Sequence, residues 1–393
     1  MLGGAILARG TRGSDLLAAF TGASALALLA VTPAAAETGK TLGFAVTTFS
    51  FSFHRAAGVC PKGFAIAAKD IYLKSVSKAE GARLLRPENL EEFEKLAYHT
   101  KDGRDLCHAP ETPRPPMITM EGKIGYGMDL DGTKNGEATE TTCAHEKLQT
   151  PDGKPVDNQM FRLLGCLSNY YGFDDGELGY LESLRNQSFK DGGTTFLIDV
   201  TGVDDVKNDS DVTIGFYNGS DQMPIDVNGR MVPYGSLSVI ADKKYQSTGK
   251  GKIVDGVLMS EPMDVNVKYD FGGATREYHV KLGRLYLELG PEGKGVKNSA
   301  KGQLAGYLLL SDVDLGTTNG RQSGSEMIGI DCPSYNQAFH RLADGHKDPK
   351  TGECTSMSTS WDITAVPAFV IHPEEDRKTA EAAPAPQQSA EKQ

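Results

Sequence analysis

Apolar and polar residues alternate along many short stretches of this 393-residue chain, and this two-residue period constrains the fold more than any other feature. The clearest stretch is 263–271, in which Met, Val, Val, Tyr and Phe alternate with Asp, Asn, Lys and Asp. Successive side chains of a β-strand point to opposite faces, so this pattern predicts a strand with one buried face. Similar stretches occupy 42–53, 196–200, 212–216, 278–289 and 357–363.

Turn-forming residues separate these candidate strands, since the sequence contains 45 Gly and 19 Pro. Helical periodicity is confined to short segments that begin near Pro87, near Asp174 with Glu177, and near Ser334. Strands without regular βαβ units indicate antiparallel sheets. The sequence therefore predicts a mainly β fold: an antiparallel β-sandwich or jelly-roll-like core with a few short helices and long disulfide-bonded loops.

The alternation changes phase within the stretch 42–53. Its apolar residues stand at positions 42, 44 and 46 and then, beyond Thr47 and Thr48, at positions 49, 51 and 53. One extra residue in a strand produces such a change while keeping the apolar side chains on one face. We therefore expect a β-bulge near Thr47.

The first 36 residues have the composition of a signal peptide. Two arginines precede an apolar run at 16–31, and three alanines at 34–36 supply the small residues of a cleavage site. We expect cleavage after Ala36 and a mature protein in the periplasm or outside the cell. A membrane anchor is the alternative, but Ser24 and several Gly and Ala residues weaken the run against the ~20 apolar residues that a span needs.

The rest of the chain divides into two parts. Residues 373–393 contain no aliphatic or aromatic side chain larger than that of Ala, so we expect a disordered tail. Residues 37–372 are enough for a sizeable core. We expect a β-rich globular region there, as one large domain or as two with a boundary near residue 190.

All the cysteines lie after the predicted signal peptide, and their number is even: Cys60, Cys107, Cys143, Cys166, Cys332 and Cys354. In an oxidising compartment such a set predicts three disulfides, although six cysteines allow 15 connectivities. We expect pairs of consecutive cysteines, because each then closes a loop that holds no other cysteine. These pairs are Cys60–Cys107, Cys143–Cys166 and Cys332–Cys354. Zinc bound by cysteines is the less favoured alternative, since the sequence has no CxxC spacing.

Charge and motifs exclude several classes of function. A formal net charge of −11 without a basic run argues against binding to nucleic acid or to anionic membrane surfaces. The sequence after residue 36 has no GxSxG, GxxxxGK[ST], GxGxxG, HExxH or CxxCH motif. His145 and Glu146 begin like a zinc-protease motif, but Gln149 replaces the second histidine. We therefore expect no nucleotide, haem or zinc site, whereas a dispersed catalytic triad or carboxylate pair stays open.

The segment 127–166 is the best candidate for a metal site. It reads GMDLDGTKNGEATETTCAHEKLQTPDGKPVDNQMFRLLGC, with acidic residues between glycine-containing turns. Calcium prefers oxygen ligands held by such turns. The predicted calcium ligands are Asp129, Asp131, Asp152, Asp157 and Asn158. The alternative is that these residues form turns through hydrogen bonds of their own and bind no ion.

Three motifs in this segment occur in a fixed order: GMDLDG, then TTCAHE, then PDGKPVDNQ. In this respect the chain resembles exported bacterial proteins of unknown function that carry DxDG, Cys-x-His and PDGxx(V/I)DNQ segments. The resemblance implies that Asp157, Asn158 and Gln159 belong to one structural element with Asp129 and Asp131. It implies no activity.

Together these features predict an exported, soluble, non-catalytic protein with a calcium-organised loop region and a binding or envelope-associated role. Its partner would be an unidentified ligand or another exported protein, and no transmembrane anchor would remain after processing. The alternative function is a secreted hydrolase that acts on a glycan or an ester.

Overall fold

A computed structural model describes residues 39–172, 178–271, 274–290, 297–313 and 330–373. The predicted signal peptide, the predicted tail after Pro373 and the helix start at Asp174 with Glu177 lie outside these ranges.

The described chain is built mainly from strands. The strands are β1 (Lys40–Phe51), β2 (Leu148–Gln149), β3 (Pro155–Val156), β4 (Phe196–Val203), β5 (Asp209–Asn218), β6 (Gly235–Ser238), β7 (Gln246–Val254), β8 (Val257–Ser260), β9 (Met263–Phe271), β10 (Ala274–Leu289), β11 (Ala300–Leu309), β12 (Gly345–Lys347) and β13 (Cys354–Ile371). The helices are α1 (Ala68–Ser75), α2 (Lys78–Leu84), α3 (Leu90–Tyr98), α4 (Gln159–Leu164), α5 (Ser168–Tyr171), α6 (Tyr180–Lys190), α7 (Leu310–Val313) and α8 (Cys332–Leu342).

Eight antiparallel strands close into a barrel. Each pairs with the next in the order β1, β4, β5, β7, β8, β10, β11 and β13, and β13 returns to pair with β1. The predicted sandwich or jelly-roll-like core is therefore wrong, although the fold is mainly β. Alternation reports only that each strand buries one face, which is common to sandwiches and barrels. The pairing of β1 with β13 decides between them, and the local pattern does not encode it.

Aromatic side chains form the centre of the core. Trp361 of β13 is fully buried and stacks on Phe49 and Phe51 of β1, with ring centroids 5.3 Å and 5.7 Å apart. The register of β1 against β13 shifts between Val46 and Thr48, which confirms the predicted bulge. Because of this shift, the apolar residues on both sides of the bulge remain buried.

Helix α6 supplies hydrogen-bond acceptors to the part of β1 that β4 does not pair with. The N–H groups of Phe49 and Phe51 donate hydrogen bonds of 2.9 Å to Asn186 Oδ1 and Glu182 Oε2 of this helix. Buried backbone donors need such partners, so these two side chains replace the missing strand. Glu182 is also paired with Arg185 at 2.5 Å, and its charge is therefore compensated within the helix.

Shorter elements surround the barrel. Strand β9 pairs with β10, β6 lies parallel to the end of β13, and β12 pairs with its start. The predicted helix starts appear as a 3-10 turn at Pro87–Asn89 that leads into α3, and as α8, whose N-cap is Asp331. Within the described ranges, no helix has both the length and the apolar character that a membrane span requires.

All six cysteines are paired, as predicted, but the predicted partners are wrong. The disulfides join Cys60 to Cys166, Cys107 to Cys332, and Cys143 to Cys354. The fold packs the long segment between β1 and β4 against elements from the end of the chain, so that cysteines up to 225 residues apart come together. Three disulfides fit a protein that matures in an oxidising compartment.

Candidate functional site

A group of charged side chains is buried where the segment 117–166 packs against β11 and β13. We call it the charge cluster, and its members are Asp129, Asp131, His145, Lys147, Asp157 and Asp344. Apart from Asp129, whose side chain is 34% exposed, each side chain is at most 5% exposed. Buried charges are costly unless they are paired, and such groups concentrate at functional sites.

The β2–β3 hairpin brings two members of the cluster together. Leu148 pairs with Val156, so Lys147 and Asp157 are the next residues on the two sides of the hairpin. The N–H of Asp157 donates to the carbonyl of Met128 at 2.9 Å. This backbone bond places the Asp129–Asp131 turn beside the hairpin.

Three backbone features hold His145. Its N–H donates to the carbonyl of Gly136, which has a positive φ of 77°. A Cβ at Gly136 would lie 2.0 Å from the carbonyl oxygen of His145, so only glycine permits this approach. Two residues before the histidine, Cys143 is bonded to Cys354 of β13, and its N–H donates to the carbonyl of Asp344 at 2.9 Å.

Three buried carboxylates each direct one oxygen toward His145. Two of these oxygens also have protein donors, because Asp131 Oδ2 accepts from the Thr133 hydroxyl at 3.0 Å and Asp157 Oδ1 lies 3.3 Å from Lys147 Nζ. Asp157 Oδ2 accepts from the N–H of Leu130 at 2.7 Å, and its Oδ1 lies 2.9 Å from His145 Nε2. Asp344 Oδ1 accepts from the N–H of Ser358 at 2.6 Å, and its Oδ2 lies 3.9 Å from Nε2. Asp131 Oδ2 also lies 3.9 Å from Nε2. The imidazole nitrogen therefore faces three carboxylates.

Lys147 supplies a fixed positive charge beside three carboxylates of the cluster. Its Nζ lies 2.5 Å from Asp129 Oδ1, 2.8 Å from Asp131 Oδ1 and 3.3 Å from Asp157 Oδ1. Burial alone would lower the pKa of Lys147, but hydrogen bonds to Asp129 and Asp131 outweigh burial and raise it. Lys147 is therefore charged at every physiological pH.

Two other members have raised pKa values. Burial would lower the pKa of His145, but the hydrogen bond to Asp157 and the charge of Asp344 raise it to about 9. Burial raises the pKa of Asp344 to about 6, against the opposing effect of His145. The raised pKa of His145 results from the carboxylates beside it, so the cluster attracts positive charge, whereas the raised pKa of Asp344 results from its burial.

The structure brings together three of the five predicted calcium ligands, namely Asp129, Asp131 and Asp157. Asp152 lies at the tip of the β2–β3 hairpin, where it is exposed and paired with Lys154 at 3.0 Å. Asn158 caps α4, because its Oδ1 accepts from the N–H of Phe161 at 3.1 Å. Neither Asp152 nor Asn158 is part of the charge cluster. Calcium itself stays a prediction.

Sequence reasoning missed three members of the cluster as ligands or counter-charges. His145 and Lys147 lie in the same motif-rich segment, and their spacing in Cys-Ala-His-Glu-Lys puts them on one side of an extended chain. That spacing is a usable but weak indication that both side chains belong to one site. Asp344 lies almost 200 residues further on, so no local pattern connects it to them.

A second candidate site is a cleft at the end of the barrel where β1 begins. Its volume is about 610 Å³. We call it the mouth cleft; its lining includes Leu42, Phe44, Lys207, Tyr234, Asp255, Leu289, Asn298, Pro367 and Phe369. The β7–β8 hairpin and the end of β13 form part of its walls. Clefts of this size at the mouths of barrels are common sites for small ligands.

The mouth cleft concentrates unusual backbone conformations. Among the described non-glycine residues, those with φ in the left-handed region include Tyr234 at 63°, Asp255 at 51° and Asn298 at 62°, and all three line the cleft. Asp and Asn tolerate this region in turns, and Asp255 begins the Asp-Gly turn of the β7–β8 hairpin. For Tyr234 no such explanation holds, so its strain is a feature of the cleft.

The described clefts give little support for a hydrolase active site. Among the described residues that line the mouth cleft, Asp255 is the sole carboxylate residue, so these residues form no carboxylate pair. His346 Nδ1 lies 2.8 Å from Ser356 Oγ, which is the contact that an esterase would need. Ser356 is fully buried, however, and neither residue lines the mouth cleft. The pair therefore has the position of a structural hydrogen bond.

Comparison of the chain with protein-family models, with curated proteins and with solved structures gives no match.

Proposed function

We propose that this chain is an exported, non-catalytic binding protein and that the mouth cleft holds its ligand. Export is supported by the signal-like residues at 1–36 and by the three disulfides. The periplasm and the extracellular space are the compartments that fit both features. A binding role is supported by a preformed cleft with apolar surface and a few polar groups among its described lining residues.

The observation that carries the proposal is the strained placement of Tyr234. Its side chain is 49% exposed, and its ring centroid lies 6.5 Å from that of Phe369, which is 59% exposed. Asn298 Nδ2 donates to the Tyr234 hydroxyl at 3.1 Å, and this bond fixes the ring. Strained backbone that presents two solvent-exposed aromatic rings beside a cleft is typical of a binding site and has no evident role in stability.

The chemistry of the lining indicates the class of ligand. Leu42, Phe44 and Leu289 offer apolar surface, whereas Lys207 and Asn298 offer hydrogen-bond donors at the edge. We therefore expect a small organic molecule with an apolar or aromatic face and a few polar or anionic groups. The second candidate, a hydrolase, has only the buried Ser356–His346 contact in its favour.

The proposal is tested with the fluorescent probe 8-anilinonaphthalene-1-sulfonate, which combines aromatic rings with an anionic group. We expect saturable binding to the folded protein, weakened at least about tenfold by Tyr234→Ala and by Phe369→Ala, as loss of an aromatic contact worth about 1.4 kcal/mol would give. Tyr286→Ala is the matched control, because Tyr286 is similarly exposed at 43% but does not line the mouth cleft.

Equal probe binding by the wild-type protein and by both cleft variants would contradict the proposal. The hydrolase alternative is tested separately with p-nitrophenyl esters and glycosides. We expect no turnover, whereas turnover that Ser356→Ala abolishes would establish the hydrolase instead.

A further inference from the structure

The hydrogen bonds of His145 fix which of its ring nitrogens carries a proton. Nδ1 lies 3.0 Å from the carbonyl oxygen of Cys143, and a carbonyl can only accept, so Nδ1 is the donor. In the neutral imidazole, Nε2 then carries no proton and has a free lone pair. That lone pair faces carboxylate oxygens of Asp157, Asp131 and Asp344 at 2.9, 3.9 and 3.9 Å. Such a contact is repulsive unless the imidazole carries a second proton or a metal ion lies between the nitrogen and the oxygens.

With a neutral imidazole, the charges of the cluster do not balance without a further cation. Four carboxylates belong to the charge cluster, and Lys147 is its one permanent cation. The guanidinium of Arg284 lies nearby but donates to the backbone carbonyls of Asp129 and Leu130, at 2.9 and 3.2 Å. With both of these side chains counted, two negative charges stay uncompensated. A divalent cation would compensate both.

Two buried polar atoms at the cluster lack a hydrogen-bond partner within the described part of the chain. One is Asp344 Oδ2, on a side chain with no exposed surface, which points toward His145 Nε2. The other is the hydroxyl of Tyr307, a 3% exposed residue of β11 that interacts electrostatically with Asp344, Asp157 and Asp131. Buried groups of this kind indicate that a partner other than the described residues belongs between them.

We propose that the charge cluster is a binding site for one first-row divalent metal ion of the zinc class. The ligands are His145 Nε2, Asp157 Oδ1, Asp131 Oδ2 and Asp344 Oδ2. Asp131, His145 and Asp157 each offer a ligand atom, and these three atoms lie within 4.8 Å of one another. Asp344, from the segment between α8 and β12, is the proposed fourth ligand; it is outside this group of three, and its Oδ2 lies 3.9 Å from His145 Nε2.

The distances suit a small ion with a nitrogen ligand. Zinc binds nitrogen and carboxylate oxygen at about 2.0–2.2 Å, so two ligands of a tetrahedral zinc lie roughly 3.4 Å apart. The separations from Nε2 to the three oxygens, 2.9 to 3.9 Å, bracket this value. Calcium takes six to eight oxygen ligands at about 2.3–2.6 Å and has no use for an imidazole. The ligand set therefore favours zinc, and ions of similar size and preference, over calcium.

The surroundings of the ligands repeat the usual pattern around a bound metal. A metal-binding histidine generally donates its other N–H to a carbonyl or carboxylate, as His145 does to Cys143. The carboxylate ligands are likewise oriented by donors, such as Leu130 N–H for Asp157 and Ser358 N–H for Asp344. Four ligands from the protein leave no open position, which is typical of a structural metal site. The ion would join the 127–166 segment to the barrel. This site is separate from the mouth cleft and from the ligand proposed there.

The experiment uses the full oxidised chain without a histidine tag, stripped with chelator and titrated calorimetrically with zinc chloride and separately with calcium chloride. We expect one zinc per chain and weaker or no binding of calcium. His145→Gln and Asp344→Asn should each weaken zinc binding at least about 100-fold. His279→Gln is the matched control, because His279 contacts Asp312 at 3.2 Å outside the charge cluster, and it should bind zinc like the wild type.

Three results would overturn the inference: less than half an equivalent of zinc bound by the folded wild type, tighter binding of calcium than of zinc, or wild-type affinity in both variants. If a variant fails to fold, cobalt substitution of the wild type decides. A tetrahedral site gives intense visible absorption bands, and a weak octahedral spectrum would count against the site. The probe assay of the mouth cleft is independent of both outcomes.

Discussion

His145 Nε2 lies 2.9 Å from Asp157 Oδ1, and both side chains are at most 4% exposed. This contact determines whether His145 adds a positive charge to the charge cluster. Without a metal ion, the two groups attract only if the imidazole carries a second proton. The stability of the metal-free protein should therefore depend on pH in a way that one residue controls.

The first prediction concerns this pH dependence. In the folded, metal-free protein the pKa of His145 is raised from 6.5 to about 9. A raised histidine pKa stabilises the fold fully below about pH 6.5, and this contribution is lost as the pH rises through about 9. Urea unfolding in excess chelator should show a decrease of at most about 3 kcal/mol over this window, attributable to His145. The decrease should be absent in His145→Gln and present in His279→Gln, and an equal decrease in both variants would count against this assignment.

The second prediction compares two lysines that each contact aspartate. Lys147 is 5% exposed, whereas Lys154 is 78% exposed and pairs with Asp152 at 3.0 Å. Lys147→Met leaves buried carboxylates without their counter-charge and should lower the free energy of unfolding by about 3–5 kcal/mol. Lys154→Met should have no measurable effect, since an exposed pair is screened by water. Chemical denaturation in chelator measures both, and equal losses in the two variants would contradict the buried pairing.

The third prediction concerns the connectivity of the disulfides. Proteolysis of the unreduced protein followed by mass spectrometry should give cross-linked peptides that join Cys60 to Cys166, Cys107 to Cys332, and Cys143 to Cys354. Thiol counting on the denatured, unreduced chain should find none. Replacement of both Cys143 and Cys354 by Ser should cost about 2–5 kcal/mol. A peptide that joins Cys143 to Cys166 would show a different fold for this region.

The fourth prediction separates binding from stability at the mouth cleft. Tyr234 has φ of 63°, a conformation that costs a side-chain-bearing residue about 1–2 kcal/mol and glycine nothing. Tyr234→Gly should therefore leave the melting temperature unchanged or raise it, while it abolishes binding of the fluorescent probe. Tyr286→Gly, in the regular strand β10, should lower stability by about 1 kcal/mol and leave probe binding intact. A lowered melting temperature for Tyr234→Gly would indicate a structural role.

The sequence predicted those features of the fold that follow from local alternation. The strand 263–271 appears with the predicted bounds as β9, and the bulge beside Thr47 is present. Barrel closure was not predictable in the same way, because it depends on the pairing of residues such as Phe51 and Trp361, which are 310 positions apart. Their alternation is the same whether the strands meet each other or pack across two sheets.

The residues of the candidate site likewise divide into those that lie close in sequence, which could be predicted, and those that tertiary packing brings in. Asp129, Asp131 and Asp157 were predicted together, since they lie within one segment whose turns bring them close. Asp152 and Asn158 fit the same compositional rule but are used for a hairpin tip and a helix cap. Asp344 enters the cluster only through the packing of the segment before β12 against the Cys143 loop, a tertiary contact that composition does not contain.

The disulfides interleave, and this arrangement has a consequence for how the protein is made. Numbered along the chain, the first cysteine bonds the fourth, the second bonds the fifth and the third bonds the sixth. A chain that enters an oxidising compartment from its amino end exposes Cys60 and Cys107 together long before Cys332 and Cys354 arrive. Oxidation in order of arrival would thus give only non-native bonds, and these would have to be exchanged through mixed disulfides. We therefore expect maturation to require a disulfide isomerase as well as an oxidase. Cells without the isomerase should accumulate chains with mispaired cysteines in which β1 and β13 are not paired.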